Sequence, residues 1–100
     1  MKSNPLPVVL IHPDGRIGRP SLYGDYLQDL RLLVGGSLET VPLSGSSYLV
    51  MNELAKSENH ERNVLATAIA RQDEVIARDD FIAGVAVIVP QSLLSCVVKS

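Results

Sequence analysis

The feature that most constrains the fold is a nearly continuous apolar run at residues 81–89, with Gly84 inside it. A strand that lies in the middle of a sheet and is buried on both faces, or nearly so, has this composition. The run is much shorter than the roughly 20 residues that a membrane-spanning helix needs. It therefore predicts a central β-strand in a soluble domain.

The length and composition define what kind of core this strand belongs to. One hundred residues suit a single domain, which we expect to span 1–100 with a core at about 7–89 and an apolar tail at 91–100. Of these residues 46% are apolar but only 4% are aromatic, so the core must be aliphatic. Such a chain buries enough apolar surface to offset its chain entropy, which excludes disorder. The scarcity of aromatic residues also argues against an RNA-binding surface that stacks bases.

The first part of the chain predicts two short strands and a helix. A β-branched run at 7–12 ends in a proline-containing turn and predicts the first strand, with a short return at 16–17. Ser21 is a good N-cap for an amphipathic helix, in which apolar residues recur at helical spacing. Gly35-Gly36 ends this helix, because glycine accepts the left-handed conformation of a C-terminal cap.

The rest of the chain predicts a hairpin, a second helix and the central strand. Residues 37–52 form the hairpin, in which Pro42 indicates an edge strand or a bulge. Asn63 caps a helix from 64 to about 72. The predicted buried side of this helix consists of Leu65, Ala68 and Ile69, with Ala66 and Ala70 allowing close packing against a sheet. The tail at 91–100 fits either a helical turn or one more strand.

The element order is therefore β-α-β-β-α-β. Two split β-α-β units of this kind commonly form an α+β two-layer sandwich, ferredoxin-like, with both helices on one face of a four-stranded sheet. Such a sheet leaves its other face exposed, and a flat aliphatic face needs cover. We therefore expect a homo-oligomer, in the simplest case a dimer, and the apolar tail supports this expectation.

Charge and cysteine content restrict the partners. The formal net charge is −2, so the chain has no basic surplus for a run of phosphates, and nucleic acid is not expected as a partner. Cys96 is the single cysteine, which excludes an intramolecular disulfide. The N-terminus lacks the features of a secretory signal, so we expect a cytoplasmic protein that does not associate with membranes. Two histidines and one distant cysteine predict no metal site, and no motif predicts a cofactor.

A series of short motifs runs along the chain: Val-Gly-Gly-x-Leu-Glu-x-Val-Pro-Leu, followed by Asn-Glu, by Asn-x-x-Ala-Thr and by Ile-x-Gly. The residues of these motifs are Val34, Gly35, Gly36, Leu38, Glu39, Val41, Pro42, Leu43, Asn52, Glu53, Asn63, Ala66, Thr67, Ile82 and Gly84. The series resembles the signature of a family of small domains of unknown function from phages, plasmids and bacterial mobile elements.

The resemblance covers about residues 8–89. The link after Asn52-Glu53, which reads LAKSENHER, departs from the family pattern, and the tail after Val89 is longer. The resemblance implies a fold and an origin in a phage or another mobile element, in which case the location is the host-cell cytoplasm. It implies no activity.

Five polar residues form a candidate ligand site. Glu39 is a carboxylate within an apolar strand, which could bind a ligand or accept a proton, or could face solvent. The other four could converge on the start of the second helix, where free N–H groups favour an anion. These four are Asn52, Glu53, Asn63 and Thr67. The alternative interpretation is that the asparagines cap helices and that Glu53 ties down a loop.

A second candidate surface is acidic. It comprises Asp73, Glu74, Asp79 and Asp80, opposed only by Arg78. These residues either recognise a partner or form a solvated loop.

These observations favour a non-catalytic binding module that acts on a host protein through the sheet face or the acidic residues. The first alternative is a protein that binds a nucleotide or another small anion. A weaker alternative is a hydrolase in which Glu39 or Glu53 acts as general base with His60, which requires a carboxylate within about 3 Å of His60, directly or through a water molecule. No catalytic set is identified, and the sequence favours a binding module over an enzyme.

Overall fold

A computed structural model describes residues 8–20, 22 and 25–93 of the chain. The described residues form five strands and two helices, followed by a helical turn at 91–93. The strands are β1 (Val9–Ile11), β2 (Ile17–Gly18), β3 (Leu38–Leu43), β4 (Ser47–Asn52) and β5 (Ala86–Pro90), and the helices are α1 (Tyr26–Val34) and α2 (Val64–Gln72).

The five strands form one antiparallel sheet in the order β2-β1-β5-β4-β3. The central strand is β5, as the apolar run predicts, and its Val87 pairs with Leu10 on one side and with Val50 on the other. Only the second part of the run is regular strand. Residues 81–85 are irregular, because Gly84 adopts a φ of 78° that ends the extended conformation.

The helices lie on opposite faces of this sheet. Alternate side chains of a strand point to opposite faces, so β4 and β5 contribute to two separate cores. On one face, Val50 and Val87 pack with Leu30 of α1; on the other, Met51 packs with Ala70 of α2. The sheet is therefore the middle layer of three.

This arrangement confirms the α+β class and corrects the rest of the fold prediction. The sheet has five strands instead of four. Among the four longest strands, β5 lies between β1 and β4, whereas a ferredoxin-like sheet would place β1 between β5 and β4. The helices do not share a face, because α2 covers the face that the prediction left exposed. The structural argument for self-association through an open sheet face is thereby removed.

Both helices begin at side-chain caps. In α1 the N-cap is Asp25, whose carboxylate accepts a hydrogen bond from the Gln28 N–H at 3.1 Å. The predicted cap, Ser21, lies outside the described residues. Gly35 ends α1 at a φ of 84°, as predicted, and Asn63 caps α2, also as predicted.

The buried side of α2 agrees with the prediction at Ala66 and Ala70, which pack in the core on this face of the sheet, and differs from it at the other positions. Ala66, Thr67 and Ala70 are buried, whereas Leu65 and Ala68 are exposed and Ile69 is half-buried. Small side chains let the helix approach the sheet closely, and the larger aliphatic side chains then face outward. Thr67 is tolerated inside because its hydroxyl is hydrogen-bonded.

The hairpin of β3 and β4 forms one edge of the sheet, as Pro42 predicts. The Glu53 N–H donates to the Ser37 carbonyl at 2.9 Å, so Ser37 and Glu53 form a hydrogen-bonded pair. Because hydrogen-bonded and non-hydrogen-bonded pairs alternate along antiparallel strands, the N–H and C=O groups of Leu38 and Thr40 and the C=O group of Pro42 point away from β4. Proline at such a position loses no bond within the sheet and removes one donor from the free edge, which opposes pairing with another strand.

Candidate functional site

Asn63 links three segments of backbone. Its amide nitrogen Nδ2 donates to the Ile11 carbonyl at 3.0 Å and to the Gly84 carbonyl at 2.9 Å. Its Oδ1 accepts from the Ala66 N–H at 3.0 Å, and its own N–H donates to the Ile82 carbonyl at 2.8 Å. The side chain is fully buried. Its polar atoms are therefore used to join β1, α2 and the segment before β5.

Thr67 extends this network by one helical turn. Its hydroxyl donates to the Asn63 carbonyl at 2.7 Å and accepts from the Ile82 N–H at 2.9 Å. Asn63 and Thr67 do lie on one side of α2, as their spacing predicts. That side faces the core, and the hydroxyl is bonded to backbone on both sides.

Asn52 serves the end of α1 in a similar way. Its Oδ1 accepts from the Leu54 N–H at 2.8 Å, and its Nδ2 donates to the Val34 carbonyl at 3.4 Å. A Cβ on Gly36 would come within 2.9 Å of that Nδ2. Glycine at position 36 and asparagine at position 52 are thus physically coupled, because the buried amide occupies the space that a side chain at position 36 would need.

Glu39 and Glu53 lie apart from the Asn63 network. Glu39 pairs with Met51 across the hairpin and is exposed on the α2 face of the sheet, as the solvent-facing alternative predicts. Both carboxylates border a cavity of about 20 Å³, roughly the space of one water molecule. Its lining consists of Glu39, Met51, Asn52, Glu53, Ala55, Lys56, Phe81, Ile82 and Ala83. Of the five candidate ligand residues, the structure thus brings together Glu39, Asn52 and Glu53, and it places Asn63 and Thr67 elsewhere.

Two of the four acidic candidates have partners within the chain. Asp73 caps the end of α2 and accepts from both the N–H and the hydroxyl of Ser44, each at 2.9 Å. Asp80 binds the Lys56 ammonium and accepts from the Phe81 N–H at 2.7 Å. The hydrogen bond from Lys56, together with that from the Phe81 N–H, holds the pKa of Asp80 below its ordinary value near 3.8.

Glu74 and Asp79 are the remaining two, and both are exposed. Glu74 adopts a φ of 57°, which places it in the turn after α2. The acidic set is therefore split between residues that hold the chain together and residues that face solvent.

His60 approaches a carboxylate other than the two predicted. Its Nε2 lies 3.4 Å from Glu58 Oε1, and neither Glu39 nor Glu53 comes within 4.0 Å of its nitrogens. Within residues 8–20, 22 and 25–93, no group of three His, Cys, Asp or Glu side chains is placed to hold a metal ion. In the same part of the chain, no helix has both the length and the apolar character needed to cross a bilayer.

An open cleft of about 440 Å³ lies at the C-terminal end of α1. Four segments line it: the β1–β2 turn, the end of α1, the loop before α2 and the residues before β5. The lining residues are Pro13, Leu33, Val34, Gly35, His60, Glu61, Gly84 and Val85, and we refer to this feature as the apolar cleft.

Backbone pairing builds one wall of the apolar cleft. The Gly84 N–H donates to the Glu61 carbonyl at 2.8 Å, and a single antiparallel bridge pairs Arg62 with Ala83. His60 lies directly over Gly84, where an added Cβ would come within 2.9 Å of Nδ1. Glycine at position 84 therefore permits both the turn and the close approach of the imidazole.

Sequence reasoning does not identify the apolar cleft, because its residues come from four separate segments. The one available signal is Gly84 inside an otherwise apolar run, since an isolated glycine in a strand pattern often indicates a bulge or a close approach of backbone. No protein-family model, curated protein or solved structure matches this chain.

Proposed function

We propose that this chain is a non-catalytic binding module that engages a protein partner through the apolar cleft. The observation that supports this proposal is the cleft itself: an opening of about 440 Å³ in which Pro13, Leu33 and Val85 supply apolar surface. Binding sites are typically concave and mostly apolar, with a few polar groups that fix orientation. If the chain comes from a phage or another mobile element, as the resemblance implies, the partner is a host protein and the complex forms in the host cytoplasm.

The mostly apolar lining of the open cleft suits contact with an apolar side chain of a protein partner. Anchor residues at protein interfaces are commonly large apolar side chains that insert into a pocket surrounded by polar groups. Here His60 and Glu61 supply polar groups beside the apolar lining. Contact with one apolar anchor would remove the apolar surface of the anchor and that of the cleft from water. This burial is the main favourable contribution to such an interface.

The two surfaces predicted from the sequence are less suited to this role. Both faces of the sheet pack against helices. Asp73 and Asp80 already bind Ser44 and Lys56. Of the four acidic residues, only Glu74 and Asp79 are therefore proposed to contact a partner.

Binding of a small ligand is the alternative proposal, and the volume of the apolar cleft supports it because small-molecule sites commonly occupy about 300–1,000 Å³. The ligand would be largely apolar, since the cleft presents the carboxylate of Glu61 and no lysine or arginine. A nucleotide or another anion would require a different surface. In a thermal-shift panel, a ligand present at 100 times its dissociation constant stabilises the fold by about 2.7 kcal/mol.

Self-association remains a proposal based on the apolar tail. Leu93 is fully buried in the α1-side core, and residues 94–100 lie outside the described residues. Light scattering of the full chain and of a chain ended at residue 93 tests it. A dimer mass for the full chain alone supports a role of the tail, and equal masses oppose it.

The main proposal is tested by removing the apolar character of the cleft. We expect Val85→Glu to abolish retention of a defined partner from a host lysate, because it introduces a charge into the apolar lining. The control is Leu32→Glu, which introduces the same charge at a side chain that is 70% exposed on α1 and does not line the cleft. Thermal midpoints establish that both variants fold. Equal retention by the two variants would contradict the proposal.

A further inference from the structure

We infer that a second groove, on the outer side of α2, binds carboxylate side chains of an acidic protein segment. The groove has a volume of about 160 Å³ and is lined by Arg62, Val64, Thr67, Ala68 and Arg71. We refer to it as the basic groove. It shares no lining residue with the apolar cleft, so the inference stands whether or not the cleft binds a partner.

The two arginines of the basic groove are held in place by contacts other than a close ion pair. Arg71 donates from Nη2 to the backbone carbonyl of Asp80 at 2.8 Å. The Arg62 guanidinium lies 4.6 Å from the centre of the Phe81 ring. Within the described part of the chain, no Asp or Glu oxygen comes within 4.0 Å of either guanidinium. Each guanidinium therefore keeps donors free while its position is fixed, which lowers the entropy lost on binding a carboxylate.

The lining of the basic groove is opposite in charge to the whole chain. It contains two arginines and no carboxylate, whereas the formal net charge of the chain is −2. Complementary charge of this kind favours an acidic partner and speeds its association.

Three features favour a protein segment over a nucleic acid. Val64 is 68% exposed beside the arginines, which provides an apolar contact next to the charged ones. The Phe81 ring already contacts two cations, Lys56 at 5.0 Å and Arg62 at 4.6 Å, so it is not a free platform for a base. A run of phosphates also needs more basic side chains than the two in the groove.

The hydroxyl of Thr67 adds nothing to this recognition, because it is bonded to backbone at Asn63 and Ile82. Polar recognition therefore depends on the two guanidinium groups. Arginine binds a carboxylate through two parallel N–H donors, and lysine cannot reproduce this geometry. This difference gives a specific test for each arginine.

The test uses the full chain and an acetylated pentapeptide, Glu-Leu-Glu-Glu-Leu amide, as the probe. We expect the Nε–Hε NMR signals of Arg62 and Arg71 to shift on titration. The same peptide with glutamine in place of glutamate should leave them unchanged. Arg62→Gln and Arg62→Lys should each weaken binding about tenfold, a change of about 1.4 kcal/mol, because neither replacement offers the two parallel N–H donors of arginine. Arg31→Gln, at an exposed position on α1, is the control and should bind as the unaltered chain does.

Three results would overturn the inference. The first is the absence of arginine shifts at millimolar peptide. The second is equal weakening by Arg31→Gln, which would indicate a nonspecific charge effect. The third is that inorganic phosphate reproduces the shifts and displaces the peptide at equal concentration, which would assign the groove to small anions. Arg71→Gln provides a second variant, and its thermal midpoint separates loss of binding from loss of fold.

Discussion

At the scale of single residues, most of the motif positions that the sequence analysis identifies have a structural role. Asn63 bonds to Gly84, Thr67 to Ile82, and Asn52 occupies the space that a side chain at Gly36 would need. The described residues contain no buried side-chain nitrogen or oxygen without a hydrogen-bond partner. The sequence identifies these residues as special, but their type and spacing fit a ligand site as well as a structural one. Only the positions of the carbonyl groups that they contact distinguish the two.

Replacement of Asn63 by aspartate tests this structural role. Asn63→Asp keeps the oxygen that caps α2 and removes the two N–H donors to Ile11 and Gly84. Because two buried carbonyls lose their donor, we expect the free energy of unfolding at pH 7 to fall by at least about 2 kcal/mol. Urea denaturation measures this change. Gln72→Glu is the same chemical change at an exposed position and should stay within about 0.5 kcal/mol.

An equal free energy of unfolding for Asn63→Asp and the unaltered chain would contradict this prediction. The hydrogen bonds from the Asn63 side chain would then not stabilise the fold, and the ligand-site interpretation would regain support.

The ion pair of Asp80 makes stability depend on pH. Its pKa is lowered in the folded chain, so the folded state gains stability from the ionised carboxylate above the ordinary pKa of about 3.8. This contribution is lost as the pH falls through the lower, folded-state pKa. We expect Asp80→Asn to be less stable than the unaltered chain at pH 7, by up to about 1 kcal/mol because the side chains of the pair are 50% and 39% exposed.

The difference between the two proteins should shrink as the pH falls below about 3.8. Denaturation curves at pH 7 and at pH 3 measure it. Asp79→Asn alters the neighbouring exposed carboxylate, for which the described residues show no ion pair, and should change stability little at either pH. A loss that is the same at both pH values would contradict the role of the Asp80 carboxylate.

At the scale of elements, the sequence predicts which segments form helices and strands better than it predicts which side of each element faces the core. The hairpin, the edge position of Pro42, the glycine end of α1 and the cap of α2 are all confirmed, because each depends on local backbone chemistry. For α2 the prediction is confirmed at Ala66 and Ala70, which pack against the sheet, and wrong for Leu65 and Ala68, which are exposed. Thr67 takes a buried position because its hydroxyl bonds to the backbone of a distant segment.

One matched pair of substitutions tests the orientation of α2. Ala70→Leu adds volume where the side chain is fully buried against the sheet, and we expect a loss of about 1–3 kcal/mol in stability. Ala68→Leu makes the same change on the exposed side and should stay within about 0.5 kcal/mol. Urea denaturation compares the two variants, and the same change in helix propensity applies to both. A larger loss for Ala68→Leu would place the predicted side of the helix in the core.

At the scale of the whole molecule, the layering follows from a signal that is present in the sequence. The apolar run at 81–89 predicts a strand buried on both faces, and a strand of that kind needs cover on both sides. The ferredoxin-like arrangement covers only one side. The three-layer arrangement, with α1 and α2 on opposite faces, agrees with the run. For the apolar cleft the sequence offers only Gly84 inside the apolar run, which does not show that four separate segments meet there.

The central claim is that a protein partner occupies the apolar cleft, and site-specific photo-cross-linking tests it most directly. A benzophenone amino acid replaces Glu61, an exposed residue beside the cleft, or Leu32, an exposed residue on α1 away from it. Both proteins are irradiated in the same host lysate. We predict a defined protein adduct from position 61 and none from position 32. The absence of an adduct at position 61, or equal adducts at both positions, would contradict the account.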